Sequence, residues 1–247
     1  MGYISSDPPF LCRGSGNGCL LKEKENEVDG YRVLRMIKIK SYPLSDDQIN
    51  DYLLRVGDLN TRISSESCFN NNHPLHVEIG CGNGHFLVAR SQNYPQINFM
   101  GIDISRKRIL KTIYKLAKIN SPNVQTILGE SKSLLEQAFA DKSIDTCYLN
   151  FPDPWPKRKH HKNRLMKKDF LDLLHEKLTA NGRFLAVSDH ESYFLEILDL
   201  LENDNRFVNG LSTRYSNEFE AYEPSLFEEK WRQEGREIYY LKFIKNE

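Results

Sequence analysis

The stretch His76-Val-Glu-Ile-Gly-Cys-Gly-Asn-Gly84 decides how the chain folds. Its first half, 76–80 (HVEIG), is a short apolar run, and its second half is a glycine turn leading into the helix pattern of 84–90. Strand, glycine turn and helix in that order open a βαβ unit. Glycine at 80, 82 and 84 lets backbone approach a ligand and supplies turn dihedrals that other residues resist. The spacing is not the dinucleotide fingerprint G-x-G-x-x-G, because the third glycine arrives one residue early and His85 holds its place. That fingerprint seats a pyrophosphate on the helix N-terminus. Here Glu78 stands two residues before the first glycine. A carboxylate there repels pyrophosphate and suits a cationic ligand, such as a sulfonium that also carries an ammonium group. A nicotinamide-dependent oxidoreductase is disfavoured on the same ground.

Working outward, strands and helices alternate. Strands are expected over 98–104, 124–128, 144–151 and 183–188, and helices over 105–120, 133–139, 170–178 and 193–201. Asn181-Gly182 reads as the close of the helix over 170–178. Such alternation implies an α/β fold with a mainly parallel, doubly wound sheet. Two last strands, 207–215 and 237–244, have no helix expected between them and imply an antiparallel C-terminal edge strand. Upstream, residues 1–30 are Gly-, Ser- and Pro-rich, then charged, and read as a poorly ordered tail. Residues 31–73 comprise a basic arm (31–40, YRVLRMIKIK), a short helix over 45–56 with Ser45 as N-cap, and an Asn/Ser-rich linker over 64–73. Residues 74–247 form the main domain.

Open α/β sheets collect their chemistry at the C-terminal ends of strands. Four acids follow four successive strands there: Glu78, Asp103, Glu130 and Asp153. Asp103 is placed to accept from ribose hydroxyls, and Glu130 or Ser131 to face an adenine edge. Any one of them could be an ordinary solvated strand-end residue; four in sequence form a constellation. Asp153 lies in the most specialised stretch of the chain, Asn150-Phe-Pro-Asp-Pro-Trp-Pro-Lys-Arg-Lys-His-His-Lys-Asn-Arg164. Pro152, Pro154 and Pro156 restrict themselves and their predecessors, so Asp153 and Trp155 are expected on a stiff, extended loop. From 157 to 168 follow seven Lys or Arg and no acid. His160 and His161 are adjacent, project differently and lack an acid or Cys companion, so no metal site is expected. Asp189-His190 ends the next strand and faces the same crevice.

The 247 residues carry 34 Lys+Arg and 34 Asp+Glu, a formal net charge of zero that argues against a uniformly basic nucleic-acid binder, and DNA is not an expected partner. Charge is segregated instead: 105–118 holds six basic residues and no acid, whereas 218–237 is mainly acidic. A local positive surface on a neutral chain suits a polyanion docked in one orientation. Five cysteines without a CxxC spacing read as those of a reduced, intracellular protein. No apolar run nears membrane-spanning length, so no membrane association and a cytoplasmic location are expected.

On these residues the chain resembles the tRNA (guanine-N7-)-methyltransferase family over roughly 31–245. The turn from Glu78 to Gly84 with Asp103 is similar to that of class I methyltransferases in general, and implies their Rossmann-like fold and S-adenosylmethionine as cofactor. Phe151-Pro-Asp-Pro-Trp-Pro-Lys with its basic run resembles this family in particular. The resemblance implies methyl transfer to N7 of a guanine in tRNA, the variable-loop guanine 46, without a metal. It implies Glu78, Gly80, Gly82, Asp103, Glu130, Ser131, Asn150 and Asp153 as cofactor residues, with Asp153 also catalytic. It implies Lys157, Asp189, Ser225, Phe227 and Glu228 as substrate contacts. Ser225-Leu-Phe-Glu228 stands where the family has Thr-x-Phe-Glu; Asp103 stands where Glu is common, and Glu130 where Asp is common. Each departure keeps the functional group and changes its reach.

Guanine N7 has a lone pair and no proton, so transfer from a sulfonium needs alignment and electrostatic support rather than a base. Asp153 can accept from guanine N1–H or N2–H₂ and support the charge that forms. Trp155 either stacks on a flipped base or packs beneath its loop. The run over 157–168 would contact phosphates. Two other readings compete. Asn150-Phe-Pro-Asp-Pro-Trp resembles the (Asp/Asn)-Pro-Pro-aromatic loop of amino-group methyltransferases, though an acid between the prolines breaks that pattern. A non-catalytic RNA-binding module on the same fold is opposed by the intact Glu78, Gly80, Gly82, Asp103 and Asp153.

Overall fold

The computed structural model describes residues 42–58, 61–218 and 226–246. The tail 1–30, the arm 31–40 and Ser225 lie outside the described residues. Helix α1 (Asp46–Tyr52) starts on the expected Ser45, whose side chain accepts from Gln48 N–H while Gln48 reaches back, a reciprocal cap. It ends sooner than its pattern suggested. Tyr52 turns inward to donate to Leu116 O, and Leu53 bridges to Thr126 alongside the sheet. The Asn/Ser-rich segment is not all linker. Ser64 caps a short helix, α2 (Ser65–Phe69), closed by Asn70 in the left-handed conformation. Polar composition hid it.

The main domain then runs β1 (Leu75–Ile79), α3 (His85–Asn93), β2 (Asn98–Asp103), α4 (Arg106–Ile119), β3 (Val124–Leu128), α5 (Ser131–Gln137), β4 (Ile144–Asn150), α6 (Lys168–Lys177), β5 (Leu178–Ser188), α7 (Glu191–Glu202), β6 (Phe207–Asn209), α8 (Leu226–Gln233) and β7 (Tyr239–Lys245). The seven strands order as β3-β2-β1-β4-β5-β7-β6, with β1 to β5 parallel. Every residue of β1 and β2 is buried, as a sheet covered on both faces requires. Ile109, Ile113 and Leu116 of α4 are buried, as their spacing indicated. This is the doubly wound α/β class that the alternation implied. The chain leaves β1 toward β2 and leaves β4 toward β5, so the topological switch opens a crevice between β1 and β4.

Three local expectations differ. Between β6 and β7 stands a helix, α8, where two successive strands had been expected, and β6 is only three residues long. The antiparallel C-terminal strand is present, but β7 pairs with both β5 and β6 and so sits one place in from the edge. Asn181-Gly182 does not end a helix. The chain passes straight from α6 to β5, and Asn181 (φ 59) lies at an irregularity where the pairing shifts from Ile144↔Leu178 to Thr146↔Arg183. A Cβ on Gly182 would come within 2.9 Å of Thr179 O, so the bulge is too tight for a side chain.

Candidate active site

The turn after β1 holds Gly80, Gly82 and Gly84 at φ of 72, 57 and 70, which is why the three alternate. At Gly84 space is decisive too, since a Cβ would lie 2.3 Å from the Thr112 side chain of α4. Helix α4 also fastens the turn from outside. Thr112 Oγ1 donates to Gly82 O at 3.1 Å, and Lys115 Nζ to Asn83 O at 2.8 Å. From inside, Asp103 Oδ2 accepts Gly82 N–H at 2.9 Å and its Oδ1 accepts Ser105 N–H at 2.7 Å. Asp103 therefore shapes the turn as well as lining the cavity beside it.

Glu78 is 4% exposed, and Asn150 Nδ2 donates to its Oε1 at 2.9 Å. Burial pushes the Glu78 carboxyl up to about 7; the Asn150 bond opposes that rise and the nearby Asp103 charge adds to it. Glu78 Oε2 and Asn150 Oδ1 are buried and meet no hydrogen-bond partner among the described residues. Two orphaned acceptors side by side call for a ligand that donates, preferably a cation. The ammonium end of S-adenosylmethionine fits that requirement.

The proline loop is less extended than its sequence suggested, because Phe151 (φ 47) and Trp155 (φ 45) are both left-handed. Tertiary bonds hold it so. Phe151 N–H donates to Val187 O at 2.8 Å, and Arg164 Nε donates to Pro154 O at 2.8 Å. Arg164 is 4% exposed, pairs with Glu196 and lies 4.7 Å over the Tyr193 ring. It is a strut for the loop and not the phosphate contact expected of it. Lys157, Arg158, Lys159 and Lys162 remain exposed, the last three on a 3₁₀ turn over Arg158–Asn163. Trp155 is partly open and edge-on to His160 at 5.9 Å.

Two cavities meet here. One, about 320 Å³, is lined among others by Asp103, Ile104, Glu130, Ser131, Asn150 and Trp155. The other, about 430 Å³, runs from Glu78, Gly82 and Phe86 to Asp189, His190, Trp231 and Arg236. Gly80, Arg108, Asn150, Phe151, Pro152 and Asp153 line both. Exposed Asp153 thus stands where the cavities join. Glu130 carries a second duty as N-cap of α5: burial works to raise its carboxyl, but bonds from Ser133 and Lys132 N–H outweigh that and hold it low. Asp189 Oδ2 accepts from Arg236 Nη1 at 2.6 Å.

Lys157 and Glu228 line neither cavity. Glu228, a substrate contact by resemblance in a stretch where no helix was expected, lies in the first turn of α8, 2% exposed, accepting from Tyr240 Oη and from Arg232 Nε at 3.0 Å. Phe227 is in the same helix. Sequence reasoning missed Ile104, an apolar residue 73% exposed just after the Asp103 strand end, a contrast that could have drawn attention. It also missed Trp231 and Arg236, whose approach to Asp189 has no local signal. Among the described residues no group of His, Cys, Asp and Glu is placed to hold a metal, and no helix is long and apolar enough to cross a membrane.

A doubly wound sheet with a glycine turn, a buried acid and orphaned acceptors at its switch point defines an S-adenosylmethionine-dependent methyltransferase. The comparisons with known proteins agree. Residues 72–241 match the family model described as "Putative methyltransferase". A tRNA (guanine-N(7)-)-methyltransferase of Geobacter metallireducens is 30% identical over 212 residues, spanning 85% of this chain and 96% of its own. One from Enterococcus faecalis is 35% identical over 172 residues, 69% and 80% of the two chains. Among solved structures, a 30S ribosomal A1408 methyltransferase from an uncultured bacterium superposes with a TM-score of 0.50 at 19% identity, covering 72% of this chain and 90% of its own, which speaks to the fold alone. The chain belongs to the tRNA (guanine-N7-)-methyltransferase family.

Proposed function

We propose that the crevice transfers a methyl group from S-adenosylmethionine to N7 of a guanine in tRNA, with Asp153 as its catalytic residue. The observation that carries this reading is the meeting of the two cavities at Asp153. The cofactor, when bound, supplies an electrophilic methyl on a sulfonium sulfur. Glu78 and Asn150 take its ammonium end, and Gly80 and Gly82 leave room for its chain. Asp103 takes the ribose hydroxyls, with Glu130 and Ser131 at the adenine edge and Ile104 on its face. The far end of the larger cavity, at Asp189, takes the base.

N7 brings no proton, so no residue acts as a general base. The target becomes positive as the methyl arrives, and Asp153, between two prolines where the cavities join, places a negative charge beside it. Lys157, Lys159 and Lys162 hold phosphates at the rim. Glu228 supports the substrate end indirectly, by tying α8 to Tyr240 of β7. Ser225 and Phe227, which precede it in sequence, remain proposed substrate contacts by resemblance. The finer target is the variable-loop guanine 46, and the place of action the cytoplasm, where tRNA is available.

Nucleoside mass spectrometry of tRNA incubated with protein and S-adenosylmethionine tests the reading. It should find 7-methylguanosine, mapped to the variable loop. A different methylated nucleoside as the sole product, an exocyclic amine for example, would overturn it.

A further inference from the structure

Arg236 is a basic residue of the crevice to which no role was assigned from the sequence. Arg236 follows Gly235, whose φ of +74 reverses the chain at the end of α8, and Arg236 N–H donates to Trp231 O at 2.9 Å. The turn folds the guanidinium back onto the indole, with Cζ 3.7 Å from the Trp231 ring centroid. Stacking of this kind fixes the plane of a guanidinium and leaves its edge free to donate. That edge meets Asp189 Oδ2 at 2.6 Å, and Glu234 Oε2 lies 3.5 Å from Nη2. Five N–H groups outnumber those two acceptors. In the wall of the larger cavity a fixed donor therefore stands directly beside a fixed acceptor.

We propose that Arg236 and Asp189 form the pair that reads the substrate base as guanine, Arg236 donating to O6 while Asp189 accepts from N1–H. The inference rests on the functional reading above and adds to it a specificity-determining residue, Arg236, held in plane by Trp231. Guanine presents an acceptor, O6, next to a donor, N1–H; the protein pair presents a donor next to an acceptor. Adenine presents the reverse order and would set donor against donor and acceptor against acceptor. A base held by O6 and N1–H leaves N7, on the five-membered ring, unengaged and able to face the junction at Asp153. Asp153 then keeps the electrostatic part, and the N1–H contact passes to Asp189.

The test uses tRNA carrying guanosine or 2-aminopurine riboside at the methylated position, since the analogue keeps N7 but lacks both O6 and the N1 proton. The wild-type enzyme should prefer guanosine strongly in kcat/KM. Arg236→Ala should lower kcat/KM for the guanosine substrate by about 10- to 100-fold while changing the analogue by no more than about threefold, because only guanosine offers the lost partner. Arg236→Gln, which keeps an N–H donor, should recover part of the preference and guards against a folding defect in the alanine variant. Equal losses on both substrates would overturn the inference and make Arg236 a prop or a phosphate contact. Absence of 7-methylguanosine with the wild-type enzyme would remove the functional reading, and this inference with it.

Discussion

At the end of the crevice formed by β1 and β2, Glu78 and Asp103 are each 4% exposed, and their bonds run to residues of the same short βαβ segment or to Asn150. At the end formed by β4, β5 and β7, Asp153 is exposed, and Asp189 is held by Arg236, 47 residues away. The first end is a rigid, pre-shaped receptor for one small molecule. The second is assembled from three distant parts of the chain, with two left-handed residues in its loop, and its shape depends on those parts staying docked. The two ends should therefore fail differently: damage to the first should appear in cofactor affinity, and damage to the second in turnover or in substrate choice.

The largest effect is expected at the join. Asp153→Asn should lower kcat on tRNA by on the order of a hundredfold or more, since it removes an oriented charge from the reacting centre. Calorimetry should show cofactor affinity nearly unchanged, because Glu78 and Asn150 remain. A loss confined to cofactor binding would merge the two ends into one.

Glu78→Gln comes next. It should weaken S-adenosylmethionine by roughly 1–3 kcal/mol, the worth of a charge-assisted bond. The wild-type affinity should also depend on pH. The Glu78 carboxyl is raised to about 7, so below that value it is protonated and a cationic ligand must displace the proton. Affinity should rise as pH climbs toward about 7 and level off above it, and the glutamine variant should lose that dependence. For the unliganded protein the sign is opposite. The folded state holds this proton more tightly than the unfolded one, so the Glu78 contribution to stability is largest below about 4.5 and is lost as pH rises toward about 7.

Smaller effects separate strut from rim within one basic run. Arg164→Ala should cost about 2 kcal/mol in denaturant melts and loosen the proline loop, because it strips Pro154 O and Glu196 of their partner. Lys159→Ala with Lys162→Ala should leave stability within about 0.5 kcal/mol, as exposed substitutions do. That pair should flatten the slope of log tRNA affinity against log salt by about two units. An unchanged slope would mean that the RNA docks elsewhere.

What was legible in the sequence follows the same division. Glycine spacing, the acid before it and the acid ending β2 are short-range features, so the glycine turn and Asp103 could be read locally, although Asn150 reaches Glu78 from β4. The substrate end could not. Residues before proline favour extended backbone, yet Val187 O and Arg164 hold Phe151 and Trp155 in a conformation that the local rule disfavours. Arg164 looked like its basic neighbours because nothing local marks it as buried against Tyr193. No helix was expected around Glu228 because α8 is short, and its Trp231 packs against a cluster drawn from α3, β4, β5 and β7. The role of Arg236 arises only when Gly235 reverses the chain and β7 inserts beside β5.

The central claim is that one crevice holds cofactor and base end to end with Asp153 between them. A crystal structure with S-adenosylhomocysteine and guanosine 5′-monophosphate tests it most directly. The ammonium group should lie on Glu78 Oε2, adenosine beside Asp103 and Ile104, and purine N7 facing the sulfur next to Asp153. An amino-acid end lodged at Asp189 and Arg236, or a purine bound outside the larger cavity, would contradict it.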